Sequence, residues 1–132
     1  MELSTFLAQI FGIYLIVEGI AFLVKRKMII GMFKDLGKNE RMMWAIGSFE
    51  FLVGLVLVIT HNIWSGPLYV VLVTIISWLI LIEGASYALL PKSVMQQVLK
   101  FFSQKNLVAL ISLIILLAGF YLAYAGFGVN FA

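Results

Sequence analysis

Four apolar runs, roughly residues 4–24, 42–60, 67–90 and 106–126, alternate with short polar or basic stretches along the chain. Each is long enough to cross a bilayer core, which takes about 20 apolar residues in a helix. Lipid offers no partner for free backbone groups, so each run is expected to be helical. The period-two alternation of a membrane barrel is absent. The stretches between the runs carry a pattern too. "SVMQQVLKFF", 93–102, sets its apolar residues on one face and Gln96, Gln97 and Lys100 on the other. Ser93 and Gln96 have capping-box spacing, just after Pro91. "KMIIGMFKDL", 27–36, is similar but interrupted by Gly31. Both predict short amphipathic helices lying in the inner membrane interface, cations toward the headgroups.

Composition strengthens this reading. The chain is 64% hydrophobic and 11% charged, against about 45–50% and 25% in soluble domains. It has no cysteine, which excludes disulfides and thiolate chemistry. A formal charge of +3 would suit a nucleic-acid partner, but the placement of the charges argues against one. Lys25, Arg26, Lys27, Lys34, Lys38 and Arg41 lie between spans one and two, and Lys92, Lys100 and Lys105 between spans three and four. The N-terminus, the 61–66 turn and the C-terminus carry none. The positive-inside rule then puts both basic connectors in the cytoplasm and both termini outside. Trp44 and Trp64 fall near the two boundaries, as aromatic belts do. The start, "MELSTFLAQI", lacks the features of a cleaved signal, so the first span is expected to be retained. A prokaryotic cytoplasmic membrane is the expected location.

"YLIVEGIAFL", 14–23, has a near copy in "LILIEGASYALL", 79–90. At an offset of 65, Glu18-Gly19 falls on Glu83-Gly84, Lys27 on Lys92 and Gly54 on Gly119. Each half holds two spans, so the copies share one orientation, which implies a pseudo-two-fold axis along the membrane normal. The expected fold is an all-α membrane protein. Four transmembrane helices form one four-helix bundle over residues 1–132, as two tandem parallel-repeat hairpins, 1–65 and 66–132, with interfacial amphipathic helices.

The stretch "EGASYALLPK", with an apolar run before it and an amphipathic segment and Gly-containing span after it, resembles the YjeT-like family of small bacterial inner-membrane proteins. The resemblance covers roughly 79–119. The first half has Arg26 where the pattern has proline. The resemblance implies a hairpin fold, here in tandem. The family is one of unknown function, so no activity follows from it.

Glu18, Glu50 and Glu83 lie seven to nine residues from the nearest basic residue of a connector. At about 1.5 Å per residue, all three sit roughly 10–14 Å inside the boundary. A charged group there costs a few kcal/mol. Such residues are expected to face the bundle or a partner rather than lipid. Met43, Gly47, Glu50, Gly54 and Leu57 share one stripe of span two; Val108, Ser112, Ile115, Gly119 and Leu122 or Ala123 share the matching stripe of span four. Small residues on such stripes let helices approach. Gly19 and Gly84 beside the carboxyls are expected to admit a neighbour or leave space for a bound group. The glutamates then have three candidate roles: hydrogen bonds within the fold, a cation or proton site, or contact with a partner's basic residue.

Elsewhere the chemistry is sparse. His61 reads as a solvated turn residue. Met28, Met32, Met42, Met43 and Met95 read as adaptable packing, with soft-metal handling as the sharper alternative. Lys25, Arg26, Lys27, Lys34, Lys92 and Lys100 are placed to meet anionic lipid headgroups. The sequence holds no phosphate-binding loop, no nucleophile beside a base and no metal-ligand spacing, so neither an enzyme nor a cofactor is expected. Two functions fit. One is an accessory or scaffold subunit working through helix contacts within the bilayer, with a membrane-protein partner. The other is a minimal oligomeric transporter or channel for a cation or proton.

Overall fold

The computed structural model describes residues 2–131, with side chains for residues 2–128. Six helices and no strand occur among the described residues: α1 Glu2–Val24, α2 Arg26–Gly37, α3 Glu40–Thr60, α4 Leu68–Leu89, α5 Lys92–Phe102 and α6 Lys105–Phe131. α1, α3, α4 and the stretch 105–128 of α6 are long and apolar enough to cross a membrane. The chain is therefore an all-helical membrane protein, with spans within a few residues of those read from the apolar runs.

The breaks have local causes. Pro91 forces the residue before it out of the helical region, and Leu90 is accordingly extended at φ −74°, ψ 145°. The first connector has no proline, yet the chain breaks at the matching place, at Lys25 with φ −109°, ψ 37°. Asn39 caps α3 by accepting from the Met42 N–H at 3.1 Å. Gly66 is the one positive φ among the described residues, at 99°, in the turn before α4. The capping box expected at Ser93 does not form. α5 begins one residue earlier, with Pro91 at its N-cap and no side-chain cap, so Ser93 already lies inside the helix. Gly31 does not interrupt α2, since the helix runs through it.

The helices pack chiefly as two pairs, α1 with α6 and α3 with α4, and a lesser α1·α4 contact joins the pairs. The four spans thus follow one another in the order α6, α1, α4, α3. The two spans of each expected hairpin, α1 with α3 and α4 with α6, are not the main partners. Glycines decide the pairing. A Cβ on Gly54 would lie 2.6 Å from Leu81 Cα, and one on Gly119 2.8 Å from the Ile16 backbone N. A Cβ on Gly84 would strike the Phe51 backbone, and one on Gly19 would lie 2.7 Å from Leu116 Cγ. These contacts correspond: 54 and 119, 16 and 81, 19 and 84, and 51 and 116 each differ by 65. Lipid tails are as apolar as leucine, so close van der Waals packing supplies what the hydrophobic effect supplies in water. Only glycine permits these approaches.

Two buried clusters sit at opposite ends. Leu7, Ala8, Phe11, Tyr69, Val70, Val73, Leu122 and Ala125 form one toward the 61–66 turn. Met43, Tyr87, Met95 and Leu99 form the other, where α5 closes the basic end. α2 packs on α5 there, bringing both basic connectors together. Of the five methionines singled out, Met43 and Met95 fill this core, and Met28, Met32 and Met42 are exposed.

Candidate functional site

Glu50 projects from α3 and Glu83 from α4, which the Gly47, Gly54 and Gly84 contacts hold backbone to backbone. That approach brings the two carboxyl side chains within hydrogen-bonding reach. A hydrogen bond between two carboxyls needs a proton on one of them, because an ionised carboxylate only accepts. Tyr14, one turn before Glu18 on α1, lies near Glu18, Glu50 and Glu83. Tyr87, one turn after Glu83, lies close to Glu83 and Glu50. Three helices therefore contribute to one acidic and phenolic patch inside the membrane-spanning layer.

The patch is open to one side. Glu18 and Glu50 are half-buried, while Glu83 is exposed and Tyr14 is 60% exposed. Within the isolated chain the bundle itself therefore leaves Glu83 uncovered. The reason is the pairing: α3 covers one side of α4, α1 touches it only lightly, and the remaining side is left free. Gly19 and Gly84 create no room for a bound group either. Leu116 fills the space at the first and the Phe51 backbone fills it at the second. Among the described residues, no three His, Asp or Glu side chains converge as a metal-holding group.

The remaining packing positions also have close neighbours. A Cβ on Gly47 would lie 2.5 Å from Tyr87 Cβ. Ser112 is fully buried and donates to the Val108 carbonyl at 2.7 Å. Gly12 and Gly126, not singled out from sequence, belong to the same set, facing Ala123 and Gln9. The six basic residues assigned to headgroups divide between α2, its N-cap Lys25, and α5, all at the basic end.

His61 is the main correction. It is fully buried, not solvated. Its Nε2 lies 2.7 Å from Ser4 Oγ and its Nδ1 3.0 Å from Thr74 Oγ1, and Ser4 and Thr74 are fully buried as well. Thr74 has one proton, and its shortest acceptor is the Ile63 carbonyl at 2.7 Å. Nδ1–H therefore donates to Thr74, and Nε2 accepts from the Ser4 hydroxyl. The result ties α1, the end of α3 and α4 together beneath the turn. Position along the spans was the available signal: Ser4 lies in the first turn of α1, His61 caps the end of α3 and Thr74 lies in the second turn of α4. Nearby, Asn62 Oδ1 accepts from Trp64 Nε1 at 2.8 Å and Trp78 Nε1 at 3.1 Å. The buried Tyr69 hydroxyl has no partner among the described residues.

No family model, curated protein or solved structure matches this chain.

Proposed function

We propose that the protein is an accessory or scaffold subunit that presents the open side of α4 to a helix of another membrane protein. The observation that carries this is the exposure of Glu83, adjoining Glu50 and Tyr14, at a depth where lipid is the alternative neighbour. A carboxyl facing hydrocarbon is unfavourable by a few kcal/mol. A partner helix bearing a basic or polar side chain removes that penalty and gains hydrogen bonds. No cofactor or catalysis is part of this reading. In this proposal both basic connectors face the cytoplasm and both termini face outward, after the segregation of Lys and Arg.

The tandem repeat belongs to the same proposal. Its support is the recurrence of the glycine contacts at a spacing of 65, with α1·α6 answering to α4·α3. The halves are then intertwined hairpins, each span packing on a span of the other half, in a doubled YjeT-like arrangement. Glu50 falls on Ile115, so the repeat places its extra acid on one pair only.

A second reading, proton or cation transport by an oligomer, is favoured by the closeness of Glu50 and Glu83, since intramembrane acids on neighbouring helices are a common element of ion and proton paths. Co-purification from native membranes separates the two. A stoichiometric second protein, lost in Glu83→Leu, supports the accessory role. A homo-oligomer whose proteoliposomes pass H⁺, Na⁺ or K⁺, with flux abolished in Glu50→Gln, supports transport and overturns the accessory role.

A further inference from the structure

A cleft of about 360 Å³ opens between α2 and α5, lined by Phe33, Lys34, Gly37, Lys38, Gln96, Leu99 and Lys100. Gly37 is the buried glycine of its lining. A Cβ there would lie 3.5 Å from Gln96 Cγ and 3.6 Å from Leu99 Cδ1, so α2 and α5 are in contact beneath the opening. Lys34 and Lys38 stand one turn apart on α2 and its C-cap, and Lys100 faces them from α5. Asp35 and Glu40 are nearby in sequence, yet no lysine of the cleft has a carboxylate within ion-pair distance among the described residues. Lys34, Lys38 and Lys100 are all exposed, so the cleft presents three cations and, among the described residues, no paired carboxylate.

We propose that this cleft binds the phosphate of one anionic phospholipid. Lys34, Lys38 and Lys100 would meet the phosphate, the Gln96 amide would donate to the glycerol or headgroup oxygens, and Phe33 and Leu99 would take the start of an acyl chain. This rests on the membrane reading and deepens the general attraction of the connectors for headgroups. The choice of lipid over a free anion has two grounds. The cleft combines cations with the apolar side chains of Phe33 and Leu99, and the next residues of α5 after Lys100, Phe101 and Phe102, are large and exposed. Basic residues at a membrane surface also meet lipid phosphates at high local density. A lipid held there bridges the two connectors, and through them the two helix pairs.

The test is native mass spectrometry of the whole detergent-purified chain, titrated with phosphatidylglycerol, phosphatidylcholine or inorganic phosphate. One phosphatidylglycerol per chain should be retained in preference to phosphatidylcholine. Lys34→Gln/Lys100→Gln should weaken retention by about tenfold or more, each lysine near an anionic surface contributing roughly fivefold. Lys34→Arg/Lys100→Arg should restore it, and Arg41→Gln/Lys105→Gln, which removes the same charge outside the cleft, should retain it. Equal affinity for the two lipids, equal loss in both Gln pairs, or displacement by millimolar phosphate would overturn the proposal. Extraction of the chain from membranes by alkaline carbonate would instead overturn the membrane reading beneath it.

Discussion

His61 shows how one side chain can be misjudged from its neighbours in sequence. The run "HNIWSG" reads as a polar turn, and five of its six residues are exposed. His61 alone turns inward, because Ser4 and Thr74 offer a donor and an acceptor at its depth. Ser4→Ala leaves Nε2 buried without a donor, a loss of about 1–3 kcal/mol. His61→Ala adds a cavity to that loss and should be the worse of the two. Thermal unfolding in detergent, followed by circular dichroism, checks the order; wild-type stability in both variants would remove the clasp. The glycines divide as sharply. Gly31 has nothing within 4 Å, so Gly31→Ala should stabilise α2 by roughly 0.5–1 kcal/mol. Gly84→Ala places a methyl on the Phe51 backbone and should lower the melting temperature markedly, while the tolerant Gly31→Ala controls for expression.

At the scale of elements, span positions followed from hydropathy because a bilayer admits only helices of fixed minimum length. The small-residue stripes of α3 and α6 were legible for the same reason that coiled-coil seams are. Which helix each stripe meets was not. A stripe on α3 names a close neighbour without saying whether it comes from the same half or the other, and short connectors favour the wrong guess. The choice depends on matched surfaces: Gly54 and Gly84 interlock with Leu81 and Phe51, whereas α1 offers its glycines to α6. Cysteines at Ile13 and Phe120, exposed beside the Gly12 and Gly119 approach, should be joined by a short bismaleimide. Cysteines at Ile13 and Val53 should not. The reverse result would restore hairpins that pack within each half. The connectors were legible as helices from their amphipathic pattern, but their contact with each other was not, since it arises only once the spans are placed.

On the scale of the whole molecule, the polarity of the chain is carried by its ends. All nine Lys and Arg lie in or beside α2 and α5, and the opposite end is closed by the Ser4–His61–Thr74 clasp. A cysteine at Asn62 should react with an impermeant thiol reagent in intact cells, and one at Lys38 should be protected; the opposite pattern would invert the proposed orientation. Between the ends lies the acidic patch. That its three glutamates share one level along the spans was expected from the distance of each to the nearest basic residue. Its openness was not, because exposure of Glu83 follows from the order α6, α1, α4, α3 and from no feature of α4 alone.

That open side is the centre of the functional account, and photocrosslinking in the native membrane addresses it directly. A photoreactive residue replaces Leu79, exposed one turn before Glu83, or Leu117, exposed on α6 away from the patch. The account predicts a discrete protein adduct from position 79, lost when Glu83→Leu is added, and only lipid adducts from position 117. Lipid adducts alone at both positions would show that the carboxyl-bearing face meets the bilayer, and would contradict a partner helix there.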